Sequence, residues 1–133
     1  METTTLVEIA QEHTDELNHL NHVEAVRLFE LAREDWYEAC GLYIGNPEGV
    51  FPLSAVVVNI NYNYRLECFL GEKVKVMTRP VSMGTKSFTL DHTIIKPNGE
   101  IAIDGNATSV IMDAVERTIV PVPECMARHL PAR

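Results

Sequence analysis

The ten residues His13-Thr14-Asp15-Glu16-Leu17-Asn18-His19-Leu20-Asn21-His22 hold three of the chain's five histidines and two carboxylates. An amphipathic helix is expected to start at the end of this stretch, at Asn21. A carboxylate at a helix N-terminus is held ionised by unpaired backbone N–H groups and the helix dipole. The same N–H groups, here around His22 and Val23, can polarise a carbonyl as an oxyanion hole. Asp15 is therefore the candidate for attack on an acyl carbon, or for orienting water onto one. The structural alternative for Asp15 is a loop acid or secondary cap. His19 and His22 lie three apart with His13 nearby, but neither HExxH nor a cysteine ligand accompanies them, so no metal is expected. Loop hydrogen bonding is the plainer role for His13 and His22.

Other catalytic patterns are missing. Ser82 in Pro80-Val81-Ser82-Met83-Gly84 lacks the first glycine of a GxSxG elbow, and neither GxGxxG nor a Walker loop occurs. Trp36, Tyr62 and Tyr64 fall where core or sheet packing explains them.

The elements that must position Asp15 can be read from periodicity. Ala25, Leu28, Phe29, Ala32, Trp36, Ala39 and Cys40 recur at a spacing of three and four, the apolar face of a helix of about 20 residues. Glu24, Arg27, Glu30, Arg33, Glu34, Asp35 and Glu38 lie between them, mostly on its wet side. Asn21 with Glu24 reads as an N-cap with its reciprocal partner, and Gly41-Leu42 as a left-handed stop. A short strand, Leu6 to Ala10, precedes the helix. Four more follow it: Ala55 to Arg65 with one apolar and one more polar face, Lys73 to Arg79 opened by Gly71-Glu72, Thr85 to Ile95, and Ile101 to Met112 after the Pro97-Asn98-Gly99 turn. The Gly41 to Ser54 connection is placed to rim a pocket, and a short helical tail is expected past Pro123. One helix and a meander bury each other's apolar faces most economically as an α+β fold, a curved antiparallel sheet of about five strands wrapped around one long helix. Such a sheet leaves an edge unpaired, so a homodimer or homotetramer is expected.

Composition narrows the function classes. The chain has 133 residues, 46% of them hydrophobic and 23% charged, which reads as a single globular domain over 1–133. Its net charge of −8 argues against nucleic acid or an anionic membrane as partner. The opening residues are expected to be no signal peptide. Three cysteines without CxxC spacing suggest reduced thiols and a cytoplasmic protein. Residues 1–50 carry eleven acids against two bases, whereas residues 65–96 carry six bases against three acids. The second segment would suit an anionic, phosphorylated ligand on one side of the sheet, or it is an ordinary solvated strand face.

Thr14-Asp15-Glu16-Leu17-Asn18-His19-Leu20-Asn21-His22, followed by Phe29-Glu30-Leu31-Ala32-Arg33, resembles the TDxxGHVNN…YFExAR signature of hot-dog-fold acyl-CoA thioesterases of the 4-hydroxybenzoyl-CoA type. Gly71-Glu72-Lys73-Val74, Gly84-Thr85-Lys86-Ser87 and Val120-Pro121-Val122-Pro123-Glu124 extend the likeness over nearly the whole chain. The resemblance implies hydrolysis of an acyl-CoA or acyl-carrier-protein thioester at a subunit interface, with Asp15 as nucleophile or general base and the His22 amide on the thioester carbonyl. His19 joins the catalytic set, with Asn18, Asn21 and Val23 beside the substrate. Arg65, Lys73, Lys75, Arg79 and Lys86 are candidates for the CoA phosphates. CoA is part of the substrate, so no separate cofactor is implied. The chain departs from the signature at Asn18, where the family has glycine, and at His22, its second Asn. Ala25 and Leu28 replace aromatic residues, which implies a roomier or more aliphatic acyl pocket. A non-catalytic acyl-CoA sensor is the alternative. An enoyl-thioester hydratase fits less well, since Asp15 and His19 are four apart rather than five and no proline lies between them.

Overall fold

The asparagine before the helix sets how the chain enters it. Asn21 Oδ1 accepts the Val23 N–H at 2.9 Å, and α1 runs His22–Cys40 to Gly41, whose φ of 87° lets its N–H turn back to Glu38 and Tyr37 carbonyls. Glu24 does not complete a reciprocal cap. The Asn21 N–H is already taken by the His13 carbonyl at 2.9 Å, and Glu24 faces Arg27 instead.

The computed structural model describes residues 1–42 and 53–131. Most of the connection expected to rim a pocket, 43–52, lies outside them. The chain forms β1 (Thr3–Glu8), a 3-10 turn (Gln11–His13), α1, β2 (Leu53–Tyr64), β3 (Lys73–Met83), β4 (Ser87–Ile95), β5 (Ile101–Asp113), β6 (Thr118–Val120) and α2 (Glu124–Ala127). The sheet is antiparallel throughout, in the order β1-β3-β4-β5-β2, with β6 also on β5. Among the described residues it has six strands, one more than the about five expected, because the three residues of β6 are too few to show a period. β1 begins earlier than its apolar residues suggest because Thr3 to Glu8 pair with Thr78 to Lys73. Ile9 then leaves the ladder and exchanges bonds with Glu72 and Gly71.

The core lies between α1 and the sheet as two apolar clusters. One joins Ala25, Leu28, Phe29 and Ala32 to Val74, Val76, Ile94 and Ile103. The other joins Trp36, Tyr37 and Leu42 to Phe88, Leu90, Ile111 and Met126. Ala25 and Leu28 sit in the first cluster. Ala39, assigned to the apolar stripe, is exposed in the last turn of α1. Arg33, assigned to the wet side, is buried. It stands four residues from both Phe29 and Tyr37, on their face of the helix. Its guanidinium donates to Tyr62 Oη at 3.1 Å and lies 3.4 Å from His92 Nε2.

Among the described residues β2 is an edge strand with β5 as its one neighbour, and its two faces do not divide into buried and wet. Val56, Val57, Val58 and Ile60 are all exposed, and a register shift between Val57 and Asn59 leaves Val58 unpaired. Among the described residues no helix is long and apolar enough to cross a membrane.

Candidate active site

Asp15 opens a tight turn closed by the Asn18 N–H on the Asp15 carbonyl at 3.0 Å. Asn18 takes a φ of 55°, the left-handed conformation that glycine or asparagine adopts most readily. This explains the departure from glycine: the asparagine reproduces the backbone shape, and its side chain is exposed. The turn is sewn to the segment after β2, with Leu20 donating to the Cys68 carbonyl at 2.7 Å and Leu70 to the Asn18 carbonyl at 3.1 Å. Lys96 braces that segment by donating to the Glu67 carbonyl and to Glu72 Oε1, with its ammonium 5.0 Å from the Phe69 ring centroid.

The turn delivers the Asp15 carboxylate to donors. Leu17 N–H reaches Oδ1 at 2.9 Å, Asn21 Nδ2 reaches Oδ2 at 3.3 Å, and His19 Nε2 lies 3.6 Å from Oδ2. The Leu17 N–H first, then the Asn21 amide and, only when its ring carries both protons, His19, hold the carboxyl below its usual range, against an opposing push from burial. Asp15 is thus poised as an anion.

A cleft of about 330 Å³ lies in front of it. His19, His22, Arg65 and Glu67 give it polar walls, and Leu20, Tyr64, Leu66, Cys68 and Ile103 apolar ones. The Tyr64 hydroxyl donates to the His22 carbonyl at 3.2 Å, and the two rings meet edge to face. The cap consumes the Val23 N–H, whereas the His22 N–H has no partner among the described residues. Of the helix-start residues whose N–H has no partner among the described residues, His22 is one that lines the cleft. Cys68 is buried, and burial pushes its thiol up to about 11, away from the thiolate form.

His13 does loop work: its Nδ1 accepts the Ala10 N–H at 2.9 Å. Asp15, His19, Asn21, His22 and Arg65 converge within one chain. The other bases do not join them. Lys73 and Lys75 line a separate cleft with Leu6, Val7 and Glu8. Arg79 pairs with Asp91 at 2.8 Å, and Lys86 lies in the turn between β3 and β4. Arg65, at the cleft, is gripped through two bonds by Asp104, at 2.9 and 3.2 Å. Sequence reasoning missed Glu67 and Lys96 and gave Tyr64 to packing. The visible signal for Glu67 was an acid within a basic stretch.

A family model described as the Thioesterase-like superfamily matches residues 9–130. The chain belongs to that superfamily. It is 27% identical over 110 residues to the long-chain acyl-CoA thioesterase FadM of Escherichia coli (strain K12), covering 82% of each chain. Among solved structures it resembles Slr0204, a 1,4-dihydroxy-2-naphthoyl-CoA thioesterase from Synechocystis, with a TM-score of 0.86, 15% identity and coverage of 98% and 96%. It also resembles the hypothetical protein SAV2348 from Staphylococcus aureus, solved in complex with CoA, with a TM-score of 0.87, 17% identity and coverage of 98% and 87%. At these identities the solved structures establish the fold, and the hot-dog architecture expected from the Asp15 signature is the one found.

Proposed function

We propose that this member of the thioesterase-like superfamily is an acyl-CoA thioester hydrolase, with Asp15 as its nucleophile or general base. One observation carries the reading: an ionised, donor-held carboxylate faces a cleft at a helix start whose first N–H is open. An acyl carbonyl placed there would direct its oxygen at the His22 N–H and its carbon at Asp15 or at a water held by Asp15. The N–H would bind the developing oxyanion more tightly than the ground-state carbonyl, which is what lowers a barrier. Membership of the superfamily and the likeness to FadM support acyl-CoA as the substrate. The phosphates would meet Arg65 at the cleft, or Lys73, Lys75, Arg79 and Lys86 if a second subunit brings them near. Asn18, Asn21 and Val23 then shape the loop and helix start around the acyl group.

The proposal includes a homodimer or homotetramer in the cytoplasm. The exposed valines and Ile60 of edge strand β2 support association, since an apolar strand edge seeks a partner. A light-scattering mass of one protomer would overturn it.

The deciding experiment is thiol release from aromatic, short-chain and long-chain acyl-CoA thioesters by the wild type and Asp15→Asn. The variant should lose at least about 100-fold in kcat with its melting transition nearly unchanged. Full activity in Asp15→Asn would sink the assignment. Tight acyl-CoA binding without turnover in the wild type would indicate a sensor.

A further inference from the structure

His19 is held between two carboxylates that are far apart in sequence. Its Nδ1 lies 2.8 Å from Glu67 Oε1, and its Nε2 lies 3.6 Å from Asp15 Oδ2. An ionised carboxylate has no hydrogen to give, so the short contact to Glu67 requires the proton to sit on Nδ1. In the neutral ring this leaves the Nε2 lone pair directed at Asp15. The backbone at Glu67 is held in place, because Lys96 binds its carbonyl and pairs with Glu72 at 3.2 Å. Asp15, His19 and Glu67 all line the same cleft.

We propose that Glu67 is a positioning residue that fixes His19 with Nδ1 protonated and Nε2 open, making His19 the proton carrier between Asp15 and the leaving thiolate. The inference rests on the proposed thioester hydrolysis with Asp15 as general base. The balance is complete without a further reactant. Water adds to the thioester carbon and gives its proton to Asp15, forming the tetrahedral oxyanion at the His22 N–H. Asp15 passes that proton to His19 Nε2, and the imidazolium formed is stabilised by the Glu67 carboxylate. The oxyanion collapses, the C–S bond breaks with its electron pair on sulfur, and Nε2–H protonates the thiolate. A carboxylic acid and a thiol leave, and both Asp15 and His19 return to their starting states. The proton taken from water thus reaches sulfur without entering bulk solvent.

The test uses the full chain with Glu67→Gln, which removes the charge, and Glu67→Ala, which removes the acceptor. Glu67 is 60% exposed, so both variants should fold. Glu67→Gln should lower kcat about 10- to 100-fold with KM within about twofold. In a His19→Ala background the same change should cost nothing further. Imidazole 15N shifts should report His19 as the Nδ1–H tautomer in the wild type and as a mixture in Glu67→Ala. Unchanged kcat, unchanged ring signals, or an equal loss in the His19→Ala background would each overturn the role of Glu67. If Asp15→Asn is inactive while Glu67→Gln is not, this inference fails alone. If Asp15→Asn retains activity, or no thioester is hydrolysed, the proposed function fails and the carrier role with it.

Discussion

At Asn18 a single backbone angle shapes the loop that carries Asp15. A φ of 55° costs an ordinary L residue about 1–2 kcal/mol, whereas glycine and asparagine adopt it readily. Asn18→Ala should therefore destabilise the fold by about 1 kcal/mol, and Asn18→Gly should change it by only a few tenths. Urea unfolding midpoints decide the matter; equal midpoints for Ala and Gly would remove the strain argument. The placement of Asp15, Asn18 and His22 was legible because it arises within one short stretch, where spacing to the helix start says which backbone groups are near. Glu67 was not, because it meets His19 across 48 residues. That approach depends on the Leu20–Cys68 and Leu70–Asn18 bonds, and no periodicity encodes it.

Elements differ in how much their own residues determine. The cap and stop of α1 are local chemistry, so its ends fell where Asn21 and Gly41 placed them. Arg33 was misplaced because charge was given more weight than angle around the helix, while its long stem lets a buried guanidinium reach Tyr62. The joint between β5 and β2 was invisible for another reason. Gly105 pairs with Tyr62 on one side and His92 on the other, and a Cβ there would stand 1.9 Å from the Asn61 carbonyl oxygen and 2.8 Å from Tyr62 Cα. Those are backbone atoms that no rotamer change can clear. Gly105→Ala should push β2 off β5 and cost about 1–3 kcal/mol or more. β2 also carries Tyr64, whose hydroxyl binds the His22 carbonyl at the helix start, so thioester turnover should fall along with the melting temperature. A variant with wild-type melting and turnover would show that the strands separate there without cost.

Across the whole molecule the two apolar clusters are divided by a polar belt, and that belt should set the acid limit of stability. His92 is 1% exposed, accepts or donates at Nδ1 with Thr78 Oγ1 at 3.1 Å, and has Arg33 and Tyr62 as its titratable neighbours. Burial first, and then the Arg33 charge, lowers its pKa from 6.5 to about 3. The folded chain therefore keeps His92 neutral, whereas the unfolded chain protonates it below about pH 6.5. The sign follows directly: the unfolded state binds the extra proton, so stability is fully present above pH 6.5 and declines as pH falls toward 3. Between pH 7.5 and 5.0 this one group should remove about 2 kcal/mol. The informative quantity is the difference between wild type and His92→Gln, which cannot gain that proton. His92→Gln should be less stable at pH 7.5, through lost packing against Phe29 at 5.2 Å, yet lose less on acidification. Unfolding free energies at the two pH values provide the comparison. Parallel losses in both proteins would mean that His92 protonates in place, and that Arg33 is not held against it by a closed core.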